Sequence, residues 1–332
     1  MHPWKIGIVG GSGYIGSALA KHLSSSFLVK IIDVVEPRHL DNNIIFERCD
    51  IRQQKDMENA LRDIDLVIHT AIVQIPKINE QKRLAYEVNI LGTQNVCEVV
   101  HKIPKIKGVI LASSWHTIGE IELKGTINEE FGFRPDKVED RARLYALSKI
   151  AQEVVVRYYD EMSEKIFGVI RMGTVLGEGM PEKTAASLFI ESGLKGKPIT
   201  PFKHSMFRPM LYVDILDVCK AYENFSIKIL RDEIRKQSNS LTHIVNVYYP
   251  EPVTILELAE IIRDSIITHS HGMIQPKIEI VDIGQPSLFD SEDEKKIKVD
   301  INKVVSFLGL DKLKSPRESI DGIVRSRIGN CI

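Results

Sequence analysis

Charge bias, paired cysteines and long apolar runs are all missing from this chain, and each absence removes a class of function. Lys and Arg total 44 against 45 Asp and Glu, a formal net charge of −1, so no cationic excess is available for nucleic acid or an anionic membrane. Local basic residues remain free to hold a small anionic ligand. No apolar stretch reaches the ~18–20 residues that span a bilayer. Met1 to Gly10 runs into an apolar strand without the basic region and cleavage site of a secretory leader. Cys49, Cys97, Cys219 and Cys331 are scattered, with neither zinc-type pairs nor a disulfide framework. The expectations are no nucleic acid, no membrane, no metal and a cytoplasmic compartment. At 332 residues and 43% hydrophobic content, the chain has enough material for one large α/β core, with or without a smaller lobe.

What is present is an alternation. Apolar, β-branched runs at Lys5–Val9, Val29–Val35, Ile44–Arg48, Leu66–Ala71, Gly108–Ser113 and Phe167–Met172 read as strands. Helical patterns separate them at Tyr14–Ser24, Asp56–Leu61, Glu80–His101 and Ala142–Met162. Strands apolar on both faces and spaced by helices predict a parallel sheet covered on both sides, a doubly wound α/β fold. After Met172 the pattern loosens. Ala185–Leu194, Asp214–Phe225 and Ile255–Ile267 read as helices, the last capped by Thr254. Leu211–Val213 and His243–Val247 read as strands, and Asp232–Ser240 and Ser287–Lys296 as exposed loops.

The first strand ends in Gly10-Gly11-Ser12-Gly13-Tyr14-Ile15-Gly16 and a helix follows at once. Glycines there permit the tight turn, the approach of a pyrophosphate, and close helix–strand packing. The phosphates would sit at the helix N-terminus, on Gly10, Gly13, Tyr14, Ile15 and Gly16. Asp33 ends the second strand about twenty residues on, where a carboxylate accepts bonds from a ribose and repels a 2′-phosphate. This favours NAD as cofactor over NADP, although Arg38 nearby offers a guanidinium for a phosphate.

Tyr145 and Lys149 lie four apart in a predicted helix and share a face. An ammonium beside a phenol stabilises the phenolate, which can take the proton of a hydroxyl while hydride passes to a nicotinamide. Ser114 follows the fifth strand and can bond the substrate oxygen. The order glycine loop, Ser114, Tyr145-x-x-x-Lys149 carries more weight than any of its parts.

At these residues the chain resembles the NAD-dependent epimerase/dehydratase family, within the extended short-chain dehydrogenases and closest in kind to UDP-glucose 4-epimerase-like proteins. The resemblance implies a Rossmann-type fold with a small C-terminal substrate lobe. Residues 1–175 with about 208–247 would form the NAD domain, and 176–207 with 248–332 the lobe. It implies cofactor contacts at Asp50 and Ile51, at Thr70 and Ala71, at Asn89 of an N-x-x-G-T motif, and at Ser113. It makes Ser114, Tyr145 and Lys149 the catalytic set and Arg208, in Arg208…Val213-Asp214, the ligand of a nucleotide-sugar diphosphate. It also implies a homodimer through Glu80–His101 and Ala142–Met162.

Three positions depart from the family pattern. Trp115 and His116 stand where dehydratases carry an acid and a base, which argues against dehydration. Arg171-Met172-Gly173-Thr174 replaces the usual Arg-x-x-Asn, leaving Thr174 as the substrate contact. No basic residue stands in the late loop around Asp282–Phe289. Ser114-Trp115-His116 is also similar to the Ser-Asn-His of uronate dehydrogenases, with His116 a substrate contact and Lys183 a stand-in for their carboxylate-binding Arg. The expected activity is therefore a nucleotide-sugar 4-epimerase on a UDP-hexose. A sugar or uronate dehydrogenase releasing NADH is the alternative, and a non-catalytic NAD-binding module a third.

Overall fold

The computed structural model describes residues 3–236 and 239–329; Cys331 and part of the predicted loop Asp232–Ser240 lie outside them. Seven parallel strands form the central sheet: β1 Lys5–Val9, β2 Leu28–Asp33, β3 Ile44–Arg48, β4 Leu66–His69, β5 Gly108–Ser114, β6 Ile166–Met172 and β7 Ile244–Val247. Their order is β7-β6-β5-β4-β1-β2-β3, so the winding reverses between β1 and β4. In such sheets the crevice beyond the carboxyl ends at the reversal is where ligands bind.

The sheet is parallel because each strand is apolar on both faces and must be covered twice. Along β1, Ile6 and Ile8 join Leu19 and Leu23 of helix α1 (Tyr14–Leu23) in one core. Val9 points to the opposite core, with Val67, Val109, Met57 and Val96. Helices α2 (Gln54–Ala60), α3 (Thr93–Lys102) and α4 (Asp140–Met162) contribute to that second layer, and α6 (Ile215–Leu230) backs the first; α5 is Ala185–Leu194. A third core joins Phe189 and Ile190 of α5 to helices α7 (Ile255–His269) and α8 (Pro316–Ile328). Thr254 caps α7 in a reciprocal capping box with Glu257, as expected of that sequence.

Two boundaries differ from the sequence reading. Glu80–His101 is not one helix: short helices at Lys77–Glu80 and Lys82–Tyr86 lead into a π-helical turn, Glu87–Gly92, before α3 begins. A Cβ on Gly92 would fall 2.5 Å from Ile51 Cδ1, so the widened turn lies hard against the third-strand loop, and such turns gather at functional sites. Secondly, Val304 and Leu308 of the helix Asn302–Leu308 pack into the core beneath the sheet rather than the lobe where residues 248–332 were placed. No helix among the described residues is long and apolar enough to cross a membrane.

Candidate active site

The loop between β1 and α1 is built for close approach. Gly10 has φ 82°, and a Cβ there would lie 2.4 Å from the Ala71 nitrogen. On Gly16 a Cβ would lie 2.5 Å from the Gly10 carbonyl oxygen and 2.6 Å from Gly11 Cα. Gly13 is different: its only near neighbour would be the Gly10 oxygen at 3.5 Å. Gly10 and Gly16 are thus glycine for the protein's own packing, whereas Gly13 keeps space open above the helix start. Gly13 is also the N-cap of α1 and offers no side-chain cap, leaving first-turn N–H groups for a phosphate. The cradle fits a dinucleotide pyrophosphate.

Asp33 is half-buried and accepts the Ser12 N–H at 3.0 Å and the Val35 N–H at 3.1 Å. Its carboxylate therefore faces the glycine loop, where a ribose would lie, while Arg38 is exposed. Asp50 is held differently from expectation: Arg52 grips it with Nε at 2.9 and 3.0 Å and Nη2 at 2.6 Å. These bonds hold its carboxyl below the usual range. Thr70 donates to the carbonyls of Val9 and Gly10, both at 3.0 Å, pinning the loop to β4, and Ala71 supplies the backbone against Gly10.

Two predicted cofactor contacts point elsewhere. Asn89 is fully buried, accepting from Val73 N at 2.7 Å and donating to Val73 O at 3.0 Å. It braces the loop after β4 and also donates to the Ser148 hydroxyl at 3.2 Å. The Ser113 hydroxyl donates to Glu153, which also holds Arg171 through Nε and Nη2 at 2.9–3.1 Å. Strand alternation explains this: Ser113 and Arg171 are register partners facing α4.

Tyr145 and Lys149 meet Ser114 at the carboxyl edge of β5. Lys149 is 3% exposed, and its Nζ donates to the Ala112 carbonyl at 2.6 Å, with 6.0 Å to the Tyr145 ring centroid. Burial lowers Lys149 to about 7, against the opposing pull of Glu153. Burial likewise pushes Tyr145 up to about 12, while a hydrogen bond with Ser114 pulls it down. The expected depressed phenol is therefore not produced by the protein's own groups. Behind this set, Thr93 gives its hydrogen to the Asn89 carbonyl and so accepts from His69 Nε2 at 2.9 Å and Gln152 at 2.9 Å. The hydroxyl has one hydrogen, which places the His69 hydrogen on Nε2; burial lowers His69 to about 3, keeping it neutral.

On the substrate side His116 stands edge-on to Tyr145, 5.5 Å between ring centres, with Nδ1 3.1 Å from Ser114 Oγ. Burial holds its imidazole below the usual range, with Glu120 opposing. Thr174 accepts from the Trp115 indole at 3.2 Å. Arg208 departs most from expectation. Nη1 lies 2.6 Å from Glu139 and 3.6 Å from Glu120, and Arg141 bonds the other Glu139 oxygen at 2.6 Å. Arg208 is thus paired, through Nη1, with carboxylates that sequence reading missed, and its buried Nε lacks a partner. Lys183 is exposed. Among the described residues no cluster of three or more His, Cys, Asp or Glu could hold a metal ion.

Residues 6–225 match the family described as NAD dependent epimerase/dehydratase. The chain is 26% identical to the "Putative UDP-glucose 4-epimerase" of Methanocaldococcus jannaschii, over 91% of this chain and 97% of that protein. It is 31% identical to D-erythronate dehydrogenase of Haemophilus influenzae, over 57% of this chain and 60% of that enzyme. In fold it resembles the Thermus thermophilus UDP-glucose 4-epimerase solved with NAD, with a TM-score of 0.75, 21% identity and coverage of 99% and 100% of the two chains.

Proposed function

The chain belongs to the NAD-dependent epimerase/dehydratase family, and from that premise we propose that it oxidises a secondary hydroxyl of a sugar through Tyr145, as the first half of a nucleotide-sugar 4-epimerisation. A UDP-hexose is the leading substrate. The observation that carries this reading is the meeting of Ser114, Tyr145 and Lys149 at the carboxyl edge of the sheet that also bears the glycine cradle.

Bound NAD supplies the hydride acceptor and, when oxidised, a positive ring that lowers the phenol's pKa where the protein alone does not. Tyr145 takes the proton of the 4-hydroxyl and later returns it to the new hydroxyl on the opposite face of the turned sugar. Ser114 orients the reacting oxygen. Lys149 is anchored by one hydrogen bond to Ala112, which leaves two ammonium hydrogens for the cofactor ribose. Asp33 receives the other ribose.

A second reading, a dehydrogenase that releases NADH, is favoured by one observation. Arg208, the group expected to take a diphosphate, is already paired through Nη1 with Glu139 and Glu120, so a diphosphate there would meet two carboxylates. Incubation with NAD and a panel of UDP-hexoses and free sugar acids separates the two. Interconversion without net nicotinamide absorbance supports the epimerase; stoichiometric NADH supports the dehydrogenase. Tyr145→Phe should cut turnover by at least ~100-fold with NAD binding intact, and full activity in that variant would refute both readings.

A further inference from the structure

A carboxylate whose lone pairs are all engaged cannot recognise a further donor. Asp50 stands two residues past the end of β3. The segment it opens is tied to the ribose side of the cradle, because the Cys49 N–H donates to the Asp33 carbonyl at 3.0 Å. A base joined to a ribose on Asp33 is therefore directed over Asp50, Ile51 and Arg52. Ile51 is buried against Gly92 and offers a ligand only its backbone. Asp50 Oδ1 accepts the Arg52 backbone N–H and Nε, both at 3.0 Å, and Oδ2 accepts Nε at 2.9 Å and Nη2 at 2.6 Å. Each oxygen thus meets two donors, the Nε hydrogen being shared, which occupies the acceptor sites of a carboxylate. Arg52 is held from a second side. Its Nη1 bonds Glu87 at 3.3 Å, and Glu87 is itself bound by Arg83 at 2.6 Å. A forked guanidinium–carboxylate contact within a network is the case in which a partly exposed pair keeps its geometry. Three of the five guanidinium hydrogens are spent, leaving one on Nη1 and one on Nη2. With 38% of the side chain exposed, they are open to a ligand.

We propose that Arg52, and not Asp50, recognises the purine of the cofactor, so that the site favours an acceptor edge over the adenine 6-amino group; this rests on NAD as cofactor and on Asp33 as its ribose contact. Two neighbouring donors on one guanidinium match the O6 and N7 acceptors of a 6-oxopurine, the pairing by which arginine recognises guanine. Adenine offers that fork N7 alone, and its amino group meets a cation instead of an acceptor. Asp50 is then a positioning residue that aims the fork, and Glu87 is the second anchor.

The test is calorimetric titration of the full chain, cleared of bound dinucleotide, with NAD and with deamino-NAD, in which oxygen replaces the 6-amino group. Wild type should bind deamino-NAD at least ~5-fold tighter than NAD. Equal affinity, or tighter binding of NAD, overturns the proposal. Arg52→Ala removes the fork and frees Asp50 to accept the amino group, so the preference should be lost or reversed; a ratio unchanged from wild type overturns the assignment to Arg52. The two wild-type titrations decide by themselves if that variant folds poorly. Failure of the cofactor reading is distinguishable, because then neither dinucleotide binds and both inferences fall together.

Discussion

Glu153→Gln tests the groups behind Lys149 most sharply. Glu153 and Arg171 form an ion pair with 0% and 2% of their side chains exposed, and Arg171 has one further bond, to the Glu129 carbonyl at 3.1 Å. Neutralising Glu153 leaves a guanidinium buried without its counter-charge, a loss of about 3–5 kcal/mol; a glutamine oxygen still accepts a bond, which favours the lower end, about 3. With an unfolding entropy of about 2.1 cal/mol/K per residue, a chain of this length should melt roughly 4 °C lower. A second effect reaches the site. Glu153 raises Lys149 against a burial effect that brings it to about 7, so its removal drives Lys149 lower still. If the protonated ammonium is required, the alkaline limb of the kcat–pH profile moves to lower pH. Adding Arg171→Met removes the orphaned charge and should restore most of the stability, but not the pH limb. Calorimetry of the three proteins and a pH–rate series on the sugar found active decide it. A Glu153→Gln melt within about 1 °C of wild type, or a double variant no more stable than the single, would refute the argument.

The glycines should separate packing from binding. Gly16→Ala puts its Cβ 2.5 Å from a carbonyl oxygen and should lower both the melting temperature and NAD affinity, whereas Gly13→Ala, with no contact nearer than 3.5 Å, should fold normally yet lose NAD affinity by at least ~10-fold in calorimetric titration. His69 should make the protein acid-labile. Burial sets its folded value at about 3 against an ordinary 6.5, so the unfolded chain takes up the proton first. Stability present above pH 6.5 is then lost as the pH falls toward 3, by about 2 kcal/mol at pH 5, and His69→Gln should flatten that slope in urea unfolding. Finally, Leu147, Val154, Tyr158 and Met162 line an exposed apolar face of α4, and we propose this face as the homodimer contact. Tyr158→Glu should shift sedimentation from dimer to monomer, and a wild-type monomer at micromolar concentration would end that proposal.

Some of this architecture is written in short-range pattern. Strand β1, the glycine turn and α1 were legible because turn, cradle and helix start are set by residues within twelve positions of one another. Tyr145 and Lys149 could be paired because a helix brings i and i+4 together whatever surrounds it, and the same spacing, carried one step further, points to Glu153. Alternating helices and strands apolar on both faces determined a parallel, doubly wound sheet. Other features had no such local signature. The Glu139–Arg208 pair joins residues 69 positions apart, the Asn89 amide is spent on Val73 and Ser148, and the helix expected over Glu80–His101 is interrupted at Gln81 and widened to a π turn where Gly92 meets Ile51. Each depends on which distant backbone arrives opposite. Propensity and periodicity describe one segment at a time, whereas the partner of a buried charge is chosen by the packing of the whole chain. Local spacing in the sequence alone determined the glycine cradle and the shared face of Tyr145 and Lys149; only the tertiary structure decided that the cation expected to receive a diphosphate is already held by two carboxylates.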